Sequence, residues 1–309
     1  MKIITLTLNP AFDIHCYVEH FAPYHENLAR ITDYDPSGKG INISRALCAG
    51  GVDNLAFAVL GDENGDSFVK GLEKSGLTLR TVTVKGRIRE NITLHTEGAD
   101  ETRISFSGFS ADESLLDRTL EALESEIEEG SLITFTGRVP GGIGMPAIQK
   151  FLSELTRRGA HVVIDSKSFG LSDLIDAKPW LIKPNEEEIS EYLNRPIEHF
   201  EEVLSAAREL HESGIENVMI SLGGKGALLV CREGAFVATP PSIRPLSTIG
   251  AGDSSVAGFL AAAAAGESSA DCLKRAVSYG TSACLTEGTR PPRSEDLAPV
   301  YRQVTVKEL

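Results

Sequence analysis

Six short apolar runs, at residues 3–8, 55–60, 132–136, 162–165, 180–183 and 218–222, recur along the chain, with helical patterns between them. This alternation is the rhythm of a parallel sheet covered by helices on both faces, whose strands read as nearly continuous apolar stretches. Three glycines sharpen the helix assignments. Gly76 closes a pattern over 64–75, Gly159 one over 145–158 and Gly214 one over 200–213, each where a left-handed C-cap belongs. The expected fold class is α/β with a mostly parallel central sheet, and 1–309 is expected to form a single domain.

Two stretches break the rhythm. Ile14, Cys16 and Val18 alternate with polar residues, and Ile31-Thr32-Asp33-Tyr34 follows after a short gap. Later, Ile92 and Leu94, then Ile104 and Phe106, flank the turn-like Glu97-Gly98-Ala99-Asp100. Period-two alternation around a turn reads as a β-hairpin, so two hairpins are expected as insertions, at about 12–36 and 87–108.

The segment Ser247-Thr248-Ile249-Gly250-Ala251-Gly252-Asp253-Ser254-Ser255 reads as a glycine-rich turn entering a helix near Ala251, with Gly266 as its stop. Unpaired amides and the positive dipole end of such a helix attract phosphate, and glycine lets a ligand approach the backbone. Asp253 stands out there, because a carboxylate repels an anion. Its presence is explained if it takes a proton from a group attacking that anion. The plain alternative is a helix N-cap, a common place for Asp.

The charge balance narrows the partners. With 30 basic and 44 acidic residues the net charge is −14, which argues against nucleic acid and anionic membrane surfaces. An anionic substrate must therefore meet local positive charge. Cys16, Cys48, Cys231, Cys272 and Cys284 are odd in number and lack paired metal-ligand spacing, so they read as reduced packing residues. A first strand begins at Ile3 with no signal peptide before it, and no apolar run reaches membrane-spanning length, so a cytoplasmic location is expected.

Several motifs, taken together and in order, carry a resemblance. They are Leu8-Asn9-Pro10-Ala11-Phe12-Asp13, Ser37-Gly38-Lys39-Gly40-Ile41-Asn42, Arg89-Glu90-Asn91 and Thr136-Gly137-Arg138-Val139-Pro140-Gly141. Lys183-Pro184-Asn185-Glu186-Glu187-Glu188, Ser221-Leu222-Gly223-Gly224-Lys225-Gly226-Ala227, the Asp253 segment and Ala283-Cys284-Leu285-Thr286-Glu287-Gly288-Thr289-Arg290 complete the series. Over nearly its whole length the chain resembles the ribokinase superfamily, and within it the phosphofructokinase B branch, which phosphorylates sugar phosphates from ATP. The resemblance implies a ribokinase-like fold in which the inserted hairpins form a small β-sheet lid over the sugar site. In many members two lids pack together, so a homodimer through the lid is expected.

On the acceptor side, the resemblance gives Asp13 the sugar hydroxyls, a role that suits an acceptor-only group. Gly38 and Lys39, opening a short helix over 41–48, are positioned to meet the substrate's own phosphate, and Asn42 faces the sugar in the family pattern. Arg89, Arg103 and Arg138 offer guanidinium forks that match phosphate oxygens. Arg138 departs from the branch, which usually has Ser-Gly-Ser-Leu-Pro where this chain has Thr136-Gly137-Arg138-Val139-Pro140, and Ser37 replaces the family's first glycine. Both departures bear on the identity of the sugar.

On the donor side, the turn from Ser221 to Gly226 follows one apolar strand and precedes another, 227–231. It is not a Walker A loop, since no Ser or Thr follows Lys225 and no helix comes next. The resemblance makes Ser221, Gly223, Gly224 and Gly226 part of the ATP site, with adenine between this turn and the helix containing Val277 to Ala283. Lys183 and Asn185 line the nucleotide in the same pattern. Asn185 and Glu188 hold Mg2+ through water, in keeping with that ion's reluctance to dehydrate; three glutamates opening a helix are otherwise favourable dipole chemistry. A monovalent cation near Thr248 and Gly288 is a further expectation.

The implied reaction is in-line phosphoryl transfer from MgATP to a hydroxyl of a ketohexose monophosphate. Asp253 would accept the hydroxyl proton while the backbone at Gly250, Ala251 and Gly252 steadies the transferring group. Fructose 1-phosphate, giving fructose 1,6-bisphosphate, is the first expectation, ahead of tagatose 6-phosphate and fructose 6-phosphate. A sugar-phosphate sensor without turnover is the reading of a different class, opposed by intact Gly252, Asp253 and Glu188. A nicotinamide dehydrogenase ranks last, because the first strand leads to Asn9-Pro10 and not to a Gly-x-Gly-x-x-Gly turn.

Overall fold

A computed structural model of the protein describes residues 1–98 and 101–309; Ala99 and Asp100, half of the turn read between the second pair of strands, lie outside the described residues. The strands are β1 (Ile3–Thr7), β2 (Ala11–Val18), β3 (Arg30–Ser37), β4 (Leu55–Gly61), β5 (Thr78–Val84), β6 (Arg89–Thr96) and β7 (Thr102–Ile104). There follow β8 (Leu132–Thr136), β9 (His161–Asp165), β10 (Leu181–Ile182), β11 (Asn217–Ser221), β12 (Ala227–Cys231), β13 (Gly234–Thr239) and β14 (Thr305–Glu308). The helices are α1 (Lys39–Ala49), α2 (Gly65–Leu72), α3 (Ser114–Leu123), α4 (Met145–Arg157) and α5 (Leu171–Ala177). The remainder are α6 (Glu186–Leu193), α7 (Phe200–Glu212), α8 (Ala251–Ala264), α9 (Ser269–Ala283) and α10 (Ser294–Gln303).

Ten strands form one sheet in the order β14-β13-β12-β11-β10-β9-β8-β1-β4-β5. From β5 to β11 every pair is parallel, while β12, β13 and β14 extend the edge antiparallel. Side chains alternate across each strand, so Ile4, Leu6, Val162, Ile164, Val218 and Ile220 enter one apolar layer. Ile3, Val163 and Met219 enter the other, where α8 and α9 pack. Burial on both faces is why these strands read as unbroken apolar runs. The three glycine stops hold as well: Gly76, Gly159 and Gly214 all have positive φ just after a helix, although the first helix ends in a 3-10 turn over Glu73–Ser75.

The two expected hairpins become one separate sheet, ordered β3-β2-β6-β7. Each hairpin is antiparallel within itself, but β2 and β6 pair in parallel, Ala11 opposite Arg89 through Val18 opposite Thr96. This sheet is seated on the body by Phe12, whose ring lies edge-on to Phe68 of α2. An ion pair also ties it down: the buried Arg45 of α1 donates twice to the partly exposed Asp35 of β3, at 2.6 and 2.9 Å. Among the described residues no helix is long and apolar enough to cross a membrane.

Candidate active site

The expected functional residues gather at the carboxyl ends of the parallel strands, where α/β sheets bind ligands. Lys183 follows β10, Ser221 ends β11 and Arg138 follows β8, and Asp165, which is outside the expected set, ends β9 beside them. The α8 N-terminus joins them. Its N-cap is Gly250 in the left-handed conformation, φ 77°, which suits glycine. Among the described residues the amides of Gly252 and Asp253 have no acceptor, and that of Ala251 makes only a 3.4 Å bond to the Thr248 carbonyl. Two donors without a partner and a third held only at 3.4 Å therefore stand at a positive dipole end.

Asp253 is not the cap of this helix. It sits within the first turn, and its side chain accepts a 2.8 Å bond from Asn42 Nδ2 of α1. Burial is the main reason its pKa is pushed up to about 6, with the Asp165 charge adding to the rise, while Lys39, Asn42 and Lys183 work against it. A carboxylate that titrates there is ionised at neutral pH and basic enough to accept a proton. Asn42, which the sequence directed at a sugar, also holds this carboxylate, and its own Oδ1 lies 3.3 Å from the Ser37 hydroxyl.

Lys39 points to Asp165, at 2.9 Å. Burial alone would lower its pKa, but the Asp165 carboxylate, then that of Asp253, raise it above the usual lysine range. Lys183 approaches the other oxygen of Asp165 at 3.8 Å, an ion pair without a hydrogen bond. Its ammonium also flanks the α8 amides, since a Cβ on Gly252 would stand 3.2 Å from Lys183 Nζ. Asp165 is fully buried; desolvation pushes its pKa up, but Lys183 and Lys39 outweigh it and hold the acid below the ordinary carboxylate range. Sequence reading passed over this acid. Its one signal was position, a carboxylate closing an apolar strand.

A second group lies where the small sheet meets the body. Asp13 of β2 accepts from Asn91 Nδ2 of β6 at 3.0 Å, the two residues being register partners. Arg89 donates to three carbonyls, Phe106 at 3.0, Asn9 at 3.2 and Pro10 at 3.4 Å. Burial and then the nearby charge of Arg138 lower its pKa, partly offset by Asp13. Arg138 is exposed and has no acid partner among the described residues. Two guanidiniums close enough to repel, with one braced by backbone, make an anion-seeking corner. Arg103 of β7, opposite Thr93 of β6, is exposed and lies 4.0 Å from Glu101. Gly38 is the N-cap of α1.

The donor-side residues take conformations of their own. Asn185 caps α6 and forms a reciprocal box with Glu188: Glu188 N donates to Asn185 Oδ1 at 2.7 Å, and Asn185 N donates to Glu188 Oε2 at 3.1 Å. Ser221 donates to the Pro184 carbonyl at 3.4 Å. Above Gly223 and Gly224 the space is open, whereas a Cβ on Gly226, at φ 105°, would run into the Ala238 carbonyl oxygen. Gly226 is therefore required by the β11–β12 turn itself, whatever the turn binds.

The model of the pfkB family of carbohydrate kinases matches residues 7–296. The chain belongs to this family. It is 33% identical over 275 residues to the 1-phosphofructokinase of Escherichia coli K12, covering 89% of this chain and 88% of that one. It is 31% identical over 304 residues to the ATP-dependent 6-phosphofructokinase isozyme 2 of the same organism, covering 97% and 98%. A crystal structure of phosphofructokinase-2 from Escherichia coli in complex with substrates and products superposes with a TM-score of 0.90 at 30% identity, over 98% of this chain and 99% of that one. The protein is a kinase with a ribokinase-like fold, and kinases of this family draw on ATP and usually a divalent metal.

Proposed function

We propose that the protein transfers the γ-phosphate of MgATP to the free primary hydroxyl of fructose 1-phosphate. The carrying observation is the buried carboxylate of Asp253, held by Asn42 at 2.8 Å beside amides that have no acceptor among the described residues. A proton acceptor and an anion cradle in one turn serve attack by a hydroxyl on a phosphoryl group. Asp253 takes the hydroxyl proton; the amides of Ala251, Gly252 and Asp253, with Lys183 beside them, meet the charge on the transferred group. Lys39 stands between the two carboxylates and the incoming phosphates.

Asp13 and Asn91 hold the acceptor's hydroxyls, and Arg89 with Arg138 takes its phosphate; Gly38, Asn42 and Arg103 complete the acceptor side. The open turn at Gly223 and Gly224, with Ser221 and Gly226 fixing its shape, receives the nucleotide together with Lys183 and Asn185. Glu188 fits a water-mediated hold on Mg2+: its Oε2 is engaged by the Asn185 amide, and its other oxygen lies 3.7 Å from Lys167 Nζ, free of the backbone. A divalent ion bound there neutralises polyphosphate charge. A monovalent cation near Thr248 and Gly288 is kept as an accessory.

The small sheet acts as a lid and as the face of a homodimer. By register Ile14, Tyr34, Ile92 and Ile104 share one side of it, with Ile31 opposite Cys16 on that same side. Ile31, Tyr34 and Ile104 are all exposed in a single copy, an apolar surface suited to a second one. A coupled ADP-release assay over fructose 1-phosphate, fructose 6-phosphate and tagatose 6-phosphate tests the acceptor. The highest kcat/KM on fructose 1-phosphate is expected. Preference for fructose 6-phosphate would favour the second reading, a 6-phosphofructokinase, which the 31% identity to isozyme 2 supports.

A further inference from the structure

Asp165 is the one acid of the cleft with both oxygens committed to ammonium groups, Oδ1 to Lys39 at 2.9 Å and Oδ2 to Lys183 at 3.8 Å. Its side chain is 4% exposed, and the cavity beside it, lined by Lys183, Glu188 and Tyr192 among others, holds about 10 Å³. That is room for about one water and nothing larger. Asp165 is therefore walled off from any substrate and turned wholly toward the lysines. Both lysines have a second acid within reach. Lys183 Nζ flanks Gly252, the neighbour of Asp253, and Lys39 lies one helical turn before Asn42, which holds Asp253.

We propose that Asp165 is a positioning residue that anchors the ammonium groups of Lys39 and Lys183 away from Asp253, leaving the Asp253 carboxylate bonded only to the neutral Asn42 and free for a hydroxyl proton. An ammonium in direct contact with Asp253 would stabilise its anion and weaken it as a base. The groups facing Asp253 are Lys39 and Asn42 from α1, Asp165 from the end of β9 and Lys183 after β10; Glu188 and Tyr192 of α6 face the lysines and Asp165 from behind. Among these, Asp165 is the group whose negative charge raises Asp253, and the lysines lower it. Removing Asp165 does two things in the same direction: it deletes that charge and releases both cations to the remaining acid.

The inference rests on Asp253 being the base of the kinase reaction, so its test has a readout apart from turnover. Carbon-13 NMR titration of aspartate carboxyls, with Asp253→Asn assigning the signal, follows the Asp253 midpoint in the full chain. In Asp165→Asn that midpoint should fall by about one pH unit or more, the scale of an opposite charge brought within contact. The acid limb of kcat/KM should move with it. Lys183→Met removes a cation while Asp165 keeps Lys39, and should move the midpoint upward; the double variant should return near the wild-type value. Lys183→Met also covers the case in which Asp165→Asn does not fold. Unmoved midpoints in the folded variants would make Asp165 a mere packing acid and overturn the proposal. Wild-type protein without activity on any sugar phosphate would instead overturn the kinase reading, and the NMR arm would still decide the lysine anchor.

Discussion

In the ten-stranded sheet both faces are covered, and the charged groups at its carboxyl edge are buried among one another. In the four-stranded sheet register puts Asp13, Asn91 and Arg103 on one face, and the other leaves Ile31, Tyr34 and Ile104 exposed. The contrast separates two ways of making a site. In the body, burial changes what a residue is: Asp253 becomes a weak acid, and Lys39 becomes a cation locked to Asp165. At the small sheet, residues keep ordinary chemistry and work by where the pairing of β2 with β6 puts them. Changes in the body should therefore alter the chemical step or the fold, and changes in the small sheet should alter affinity or assembly.

The sharpest way to break this division is Asp253→Asn. Turnover should fall by at least ~10²-fold, as for loss of a general base, while calorimetry still detects both substrates binding. Near-normal turnover would remove Asp253 from the chemistry. In the unaltered enzyme kcat/KM should fall as the pH drops through about 6, where Asp253 gains its proton. Stability runs the other way. Because the folded chain binds this proton more tightly than the unfolded one, the contribution is fully present below about 4 and is lost as pH rises through about 6. Asp253→Asn should therefore raise the melting temperature at pH 8, by roughly 1–3 kcal/mol of stability, and change it little near pH 4. An equal shift at both pH values would contradict the buried-acid reading.

Next in size, Gly226→Ala should cost about 2 kcal/mol or more in urea unfolding, since a left-handed position and the Ala238 carbonyl both oppose a side chain. Gly224→Ala, with open space above it, should cost less than about 0.5 kcal/mol and should raise KM for ATP more than KM for the sugar phosphate. The same loss of stability in both variants would erase the distinction between a glycine the turn needs and one the ligand needs.

At the junction of the two regions, Arg138→Ser should weaken the acceptor by about 1.5 to 3 kcal/mol while leaving ATP nearly unchanged. Acceptor Michaelis constants for all three ketohexose phosphates measure it, and a uniform change of less than about twofold would show Arg138 to be a solvated charge. The smallest effect on the folded protomer is expected from Ile104→Ser on the open face of the small sheet, about 0.5 kcal/mol or less. Its consequence should appear in sedimentation, as a dimer shifted toward monomer. Unchanged association would leave this apolar face without the partner proposed for it.

Much of this molecule was legible residue by residue. Apolar runs announced the parallel strands because burial on both faces leaves no polar alternation, and Gly76, Gly159 and Gly214 announced helix ends because a left-handed turn favours glycine. The turn at Gly250 announces a helix N-terminus for the same kind of local reason. β5, β13 and β14 lie outside the strands legible in this way: β5 and β14 are edge strands, with Thr78–Val84 mixing threonine and arginine among its apolar residues, and β13 is a short run following the turn after β12. The hairpins were visible as alternation, but their joining through β2 and β6 was not, since nothing local records which strands pair. Tertiary structure alone decided the chemistry of the cleft. Asn42 reaches Asp253 across 211 residues of sequence and Lys39 reaches Asp165 across 126. Pattern records which face of an element is buried; which charge meets which, and in how little water, is settled only when strand order brings their ends together.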